Sequence, residues 1–85
     1  MTDAARPRSD ADRCFVCGPD NAQGLRVAFR MEGDRCRGRF TPAAHHNSFD
    51  GVTHGGIVFS LLDDVMGNWL FLQGERGVTA KCEIR

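Results

Sequence analysis

Two adjacent glycines, Gly55 and Gly56, are the first candidates for chemistry, because they stand directly before a long apolar segment that begins at Ile57. If that segment is a helix, its first backbone N–H groups have no partner within the helix and lie at the positive end of the helix dipole. Glycine has no side chain to shield these groups, so a carbonyl oxygen can approach closely. The pair therefore predicts an oxyanion-binding site. A simpler alternative stays open, in which the glycines only permit a sharp turn from loop to helix.

Asp63, two helical turns after the glycines, is the candidate general base or nucleophile. On a helical wheel it lies near Phe59, Met66 and Leu70, while Asp64 projects about 100° away from it. A carboxylate with apolar neighbours is suited to proton transfer or nucleophilic attack. The alternative is that Asp63 points into solvent. His54, directly before the glycines, could act as a base or ligand, but we favour a role in ordering the turn through hydrogen bonds.

Four cysteines are present, namely Cys14, Cys17, Cys36 and Cys82. The N-terminal residues lack the apolar core of a secretory signal, so reduced thiols are expected rather than disulfides. Cys14 and Cys17 have the spacing of a zinc knuckle, but no second CxxC or HxxxH pair follows. A zinc site could be completed only if folding brought further ligands to these cysteines, which no spacing in the sequence predicts. The candidates are Cys36, Cys82, His45 and His46. We therefore predict thiols without a metal.

The periodicity of the sequence predicts an α+β fold. Apolar and polar residues alternate over residues 25–31, 35–40 and 77–85, which predicts three strands, the first two forming an antiparallel hairpin. Between the second and third strand, the spacing from Gly55 onward predicts a helix that ends near Gly74 and is apolar on more than one side. Three strands cover only one side of such a helix. We expect either that another chain covers the rest or, as we favour, that the sequence is C-terminally truncated.

Length and charge restrict the class of protein. The 85 residues allow one small domain, and 11 basic against 11 acidic residues give a formal net charge of zero, so neither nucleic acid nor an anionic membrane is an expected partner. The arginines of the predicted hairpin are expected to form a solvated face. The apolar segment 57–72 is too short and too polar to span a bilayer. We expect a cytoplasmic protein with a disordered tail over residues 1–13 and a folded domain over 14–85.

Three segments resemble one enzyme family in order and spacing. They are CFVCGPDNAQGL at residues 14–25, HGGIVFSLLDD at 54–64 and GVTAKCEIR at 77–85. Together they resemble the PaaI-type branch of the hotdog-fold acyl-CoA thioesterases, within the 4-hydroxybenzoyl-CoA thioesterase-like superfamily. The resemblance implies a hotdog fold, in which an antiparallel sheet wraps around a long central helix, here with the C-terminal strands missing.

The resemblance also implies roles for single residues. The backbone N–H groups of Gly55 and Gly56 would polarise a thioester carbonyl, and Asp63 would activate water or attack the carbonyl. Thr79, on the strand after the helix, would help to place the water. Two further residues would contact the substrate, namely Asn47 and His54.

The implied function is hydrolysis of an acyl-CoA thioester to a free acid and CoA by a homodimer or homotetramer. In this family the glycine amide and the acid come from different protomers. No metal or cofactor is implied, since CoA is part of the substrate. Two alternatives stay open: a non-catalytic hotdog domain that binds acyl-CoA or forms a subunit interface, and an inactive fragment of a thioesterase.

Overall fold

The structure, a computed structural model, describes residues 10–85. Along the chain it contains strand β1 (Arg30–Glu32), strand β2 (Arg35–Arg37), a short 3-10 turn (Ala44–His46) and helix α1 (Gly55–Phe71). One small antiparallel sheet and one helix confirm the α+β class in this broad sense.

The hairpin forms where the sequence predicts it, but its strands are shorter than predicted. β1 pairs antiparallel with β2, and Met31 lies opposite Cys36. A two-residue turn joins the strands, and Gly33 begins it with a φ of 64°, a conformation that favours glycine. The indole N–H of Trp69 donates to the backbone oxygen of Asp34 at 2.8 Å, which ties this turn to α1.

The most buried side chains lie where the loop before the hairpin meets α1. Val16, Cys17 and Val27 are exposed by 3–6%, and Asn68 of the helix by 3%. The backbone N–H of Val27 donates to the carbonyl of Val16 at 2.8 Å, which holds the loop beside the segment that leads into β1. The core of the described residues is therefore small and includes one polar side chain.

Helix α1 has a defined signal at each end. His54 is its N-cap, and the imidazole accepts from the Gly56 N–H. At the other end, Gly74 has a φ of 86°. Its N–H donates to the carbonyl of Phe71, and the N–H of Glu75 donates to the carbonyl of Leu70. This pair of bonds is the Schellman arrangement, so the predicted stop at Gly74 is confirmed.

The prediction that a sheet wraps around the helix is wrong for this structure. The two-stranded sheet lies against one side of α1 only. Four apolar residues of the helix are 42–56% exposed, and we call them the apolar face: Val58, Leu62, Met66 and Trp69. Their spacing places them within an arc of about 80° on the helix. The three strands that would cover more of the helix do not assemble, because the third one does not form.

The third predicted strand is also wrong. Residues 77–85 have no strand structure and are exposed throughout. Alternation of apolar and polar residues predicts a strand only where a neighbouring strand can take its backbone hydrogen bonds. Within residues 10–85 no strand lies beside this segment.

The predicted tail falls largely outside the described residues, which begin at Asp10. The last part of it contacts the rest of the chain: Asp10 pairs with Arg76, and the carbonyl of Asp12 accepts from the N–H of Asp20 at 2.9 Å. In the described part of the chain, no helix has the length and apolar character needed to cross a membrane.

Candidate functional site

The first turn of α1 leaves one glycine amide available. The Gly56 N–H donates to Nδ1 of His54 at 2.8 Å, so the His54 side chain already occupies it. The next two amides of the helix bond to the His54 carbonyl at 3.0 and 3.2 Å. For the Gly55 N–H, no acceptor is present among residues 10–85, and Gly55 is exposed. The predicted pair of oxyanion donors is therefore reduced in this structure to Gly55 alone.

Gly55 is also open to a close approach. A Cβ atom built at this position would have no other group within 4 Å, whereas one at Gly56 would lie 3.0 Å from Nδ1 of His54. The N–H at the positive end of the helix dipole can thus meet an oxygen atom from outside the chain.

The loop before the helix folds back and places Asn47 near the start of α1. Asn47 pairs with Thr53 in an isolated antiparallel bridge, and the N–H of His54 donates to the carbonyl of His46 at 2.8 Å. The structure therefore brings Asn47 to the same end of the helix as His54 and Gly55, although the positions are separated by a loop in the sequence.

Asp63 and Thr79 are in direct contact. The Thr79 hydroxyl donates to Oδ1 of Asp63 at 2.5 Å. A hydrogen bond to a carboxylate is short and strong, and it holds the acid in one orientation. Asp63 is half-buried and lies about 60° beyond Met66 on the helical wheel, beside the apolar face. Two of the residues assigned to catalysis from the sequence are thus brought together.

The glycine amide and the acid are far apart within one chain. Gly55 and Asp63 are eight residues apart along one helix, which corresponds to about 12 Å along its axis. A single thioester carbonyl cannot contact the Gly55 N–H and receive a water held by Asp63 of the same chain. The structure therefore separates these two groups, whereas it joins Asp63 to Thr79.

A groove of about 500 Å³ lies between the C-terminal half of α1 and the segments around Asp10 and Arg76, and neither Asp63 nor Thr79 lines it. Gly67, one helical turn after Asp63, and Val78, directly before Thr79, both line it, and Phe71 and Arg76 contribute an apolar and a basic side chain. A second groove, of about 410 Å³, lies between the hairpin and α1 and is lined by neither Asp63 nor Gly55.

A second cluster joins the N-terminal loop to the other side of α1. The ligand atoms of Cys14, Cys17 and Asp64 all lie within 4.8 Å of one another. Burial, and then the negative charge of Asp64, raise the pKa of the nearby Cys36 thiol above its ordinary value of 9.0. The sequence shows the CxxC spacing, but Asp64 follows Cys14 by 50 positions and no local pattern connects them.

Comparison of the chain with protein-family models, with curated proteins and with solved structures gives no match.

Proposed function

We propose that the chain is a subunit of a hotdog-fold acyl-CoA thioesterase that hydrolyses a thioester to a free acid and CoA. The observation that carries the proposal is the hydrogen bond from Thr79 to Asp63, because it orients the acid that would handle water. The uncommitted N–H of Gly55 supplies the second requirement, a donor for the developing oxyanion.

The reaction follows from these groups. The thioester carbonyl oxygen accepts from the Gly55 N–H, and the carboxylate of Asp63 removes a proton from a water molecule as its oxygen attacks the carbonyl carbon. Collapse of the tetrahedral intermediate forms the acid and breaks the C–S bond. The proton held by Asp63 passes to the departing CoA thiolate, which restores the carboxylate. This reaction requires no metal and no cofactor.

The proposed enzyme is a homodimer or a homotetramer. Because Gly55 and Asp63 of one chain are about 12 Å apart, the oxyanion donor beside each Asp63 comes from another protomer. The apolar face lies next to Asp63 and is 42–56% exposed, which fits a contact surface for a second copy.

The test is the release of free thiol from acyl-CoA substrates by the purified chain and by Asp63→Asn. The variant keeps the size of the side chain but removes its ability to accept a proton, so we expect kcat to fall by about 100-fold or more. Asp50→Asn makes the same chemical change on an exposed loop and is the matched control. Thr79→Val keeps the shape but loses the hydrogen bond to Asp63, and a fall of about tenfold in kcat is expected.

Wild-type turnover by Asp63→Asn would contradict the assignment. The main alternative is a non-catalytic domain that binds acyl-CoA. Titration calorimetry with a non-hydrolysable acyl-CoA analogue distinguishes it from an enzyme: binding of the analogue by a wild-type chain that releases no thiol indicates the binding domain. That alternative draws on the His54–Gly56 hydrogen bond, which leaves one amide donor where two were predicted.

A further inference from the structure

Cys14, Cys17 and Asp64 lie at distances that suit one metal ion. Cys14 Sγ is 3.6 Å from Oδ1 of Asp64. A tetrahedral zinc ion with a Zn–S bond of about 2.3 Å and a Zn–O bond of about 2.0 Å holds its sulfur and oxygen ligands about 3.5 Å apart. The observed separation is therefore close to the one that zinc binding requires, and all three ligand atoms are within 4.8 Å of one another.

The loop that carries the two cysteines is fixed by its backbone. The N–H of Cys17 donates to Sγ of Cys14 at 3.4 Å, and the N–H of Gly18 donates to the Cys14 carbonyl at 2.8 Å. A Cβ atom at Gly18 would lie 2.4 Å from the backbone nitrogen of Cys14, so this turn requires glycine. The turn therefore holds the two cysteines in a fixed arrangement, and thiolate is the form in which cysteine binds a metal.

Asn68 orients the cluster from the buried side. Its side chain is 3% exposed, and Nδ2 donates to Oδ2 of Asp64 at 2.9 Å and to Sγ of Cys17 at 3.5 Å. Because one amide group contacts two of the three ligands, it fixes their relative positions. Metal ligands in proteins are commonly held by partners of this kind.

The Asp64 carboxylate accepts hydrogen bonds from Cys14 Sγ and Asn68 Nδ2 and has no cationic partner among residues 10–85. In the described part of the chain, the ion pairs connect Arg30 and Arg37 with Glu32, and Arg76 with Asp10, and none includes Asp64. A half-buried carboxylate is stabilised by a positive partner, and a metal ion is one such partner. Two thiols in the same cluster favour a soft or borderline ion over Ca²⁺ or Mg²⁺.

We propose that Cys14, Cys17 and Asp64 bind a zinc ion that fastens the N-terminal loop to helix α1. Binding converts both thiols to thiolates, so each zinc ion bound by the protonated cluster displaces two protons to solvent. The chain supplies three ligands, so a water molecule completes the tetrahedron. The ion joins the loop to the helix at the small buried core, and Asp64 projects about 100° away from Asp63. The inference does not depend on the proposed hydrolysis.

Direct binding is measured on the full chain after removal of metals with a chelator. One zinc ion per chain is expected in competition with a chromophoric chelator, and the thermal unfolding midpoint is expected to rise when zinc is added. Cobalt(II) is the spectroscopic probe, and it should show tetrahedral d–d bands and a thiolate-to-metal charge-transfer band. An octahedral cobalt spectrum without the thiolate band overturns the proposal.

Variants test the identity of the ligands. Cys14→Ser and Asp64→Asn are each expected to weaken zinc binding by about 100-fold or more, since even the loss of a supporting partner costs about 10- to 100-fold. Cys82→Ser is the matched control, because Cys82 is exposed and is not in the cluster, and it should bind zinc as the wild type does. Equal affinity of Cys14→Ser and Cys82→Ser would overturn the proposal.

A measurement on the wild-type chain covers the case in which a variant does not fold. Zinc should protect the half-buried Cys14 from alkylation, read by peptide mass spectrometry, while the exposed Cys82 reacts at the same rate with and without zinc. Equal alkylation of Cys14 in the two samples would show that it does not ligate the ion.

Discussion

At the level of single residues, Gly55 and Gly56 look equivalent in the sequence but differ in the hydrogen bonding of their N–H groups. The N–H of Gly56 is held by His54, and the N–H of Gly55 has no acceptor within residues 10–85. The proposed oxyanion site therefore depends on one atom, which a substitution can remove with little effect on the helix.

Gly55→Pro removes that atom. Proline is well tolerated at the first position of a helix, and His54 already has the extended conformation, with φ −58° and ψ 133°, that a residue before proline adopts. We expect the helix content by circular dichroism to be unchanged and kcat for acyl-CoA hydrolysis to fall by about 100-fold or more, as for the loss of an oxyanion donor.

Gly55→Ala is the control for this experiment, because it keeps the N–H and its Cβ meets no other group within 4 Å. If Gly55→Pro hydrolysed acyl-CoA as fast as Gly55→Ala, the Gly55 amide would not be the oxyanion donor.

The roles assigned to single residues from the sequence stay predictions, but the structure shows which of these residues meet. The resemblance assigned Asp63 and Thr79 to one site, and the structure places them in contact. Asp64 was assigned no partner, and the structure places it beside Cys14 from a distant loop. Such a contact depends on how the loop packs against the helix, which no spacing in the sequence specifies.

At the level of elements, the helix was predictable because its signals are local. The apolar spacing, the glycines at its start and Gly74 after its end all act within a few residues. Strands depend on neighbours, and this is why residues 77–85 were predicted as a strand and are not one. Likewise β1 and β2 extend for only three residues each, where their backbones can pair.

The end of the helix gives a prediction at this scale. Gly74 has a φ of 86°, and a Cβ atom added there would have no group within 4 Å, so Gly74→Ala is strained only through its backbone. We expect a loss of about 1 kcal/mol in the free energy of unfolding, measured with urea. Gly67→Ala is the matched control: it lies inside α1 with open space around it, and it should raise the helix stability by about 0.5–1 kcal/mol. Equal effects of the two substitutions would show that Gly74 does not limit the helix end.

At the level of the whole molecule, the small core and the uncovered helix point to association. The four residues of the apolar face are 42–56% exposed, although Trp69 bonds the hairpin turn and Leu62 lines the groove beside the hairpin. Contiguous exposed apolar surface of this kind marks interaction sites. The proposed active site also requires two chains to associate, since the Gly55 amide and the Asp63 carboxylate of one chain are about 12 Å apart.

Leu62→Lys tests association directly. Leu62 is 54% exposed in the middle of the apolar face, so a charge there costs little within one chain but would be desolvated in a contact between copies. Size-exclusion chromatography with light scattering should give a multiple of the 9.4 kDa chain mass for the wild type and the single-chain mass for Leu62→Lys. Val78→Lys is the control, because Val78 is 93% exposed and lies outside α1, and it should keep the wild-type mass.

Thiol release should fall together with the assembly in Leu62→Lys, because separated chains cannot join Gly55 of one to Asp63 of another. An oligomeric Leu62→Lys, or a fully active single chain, would show that the site does not form between protomers through this face.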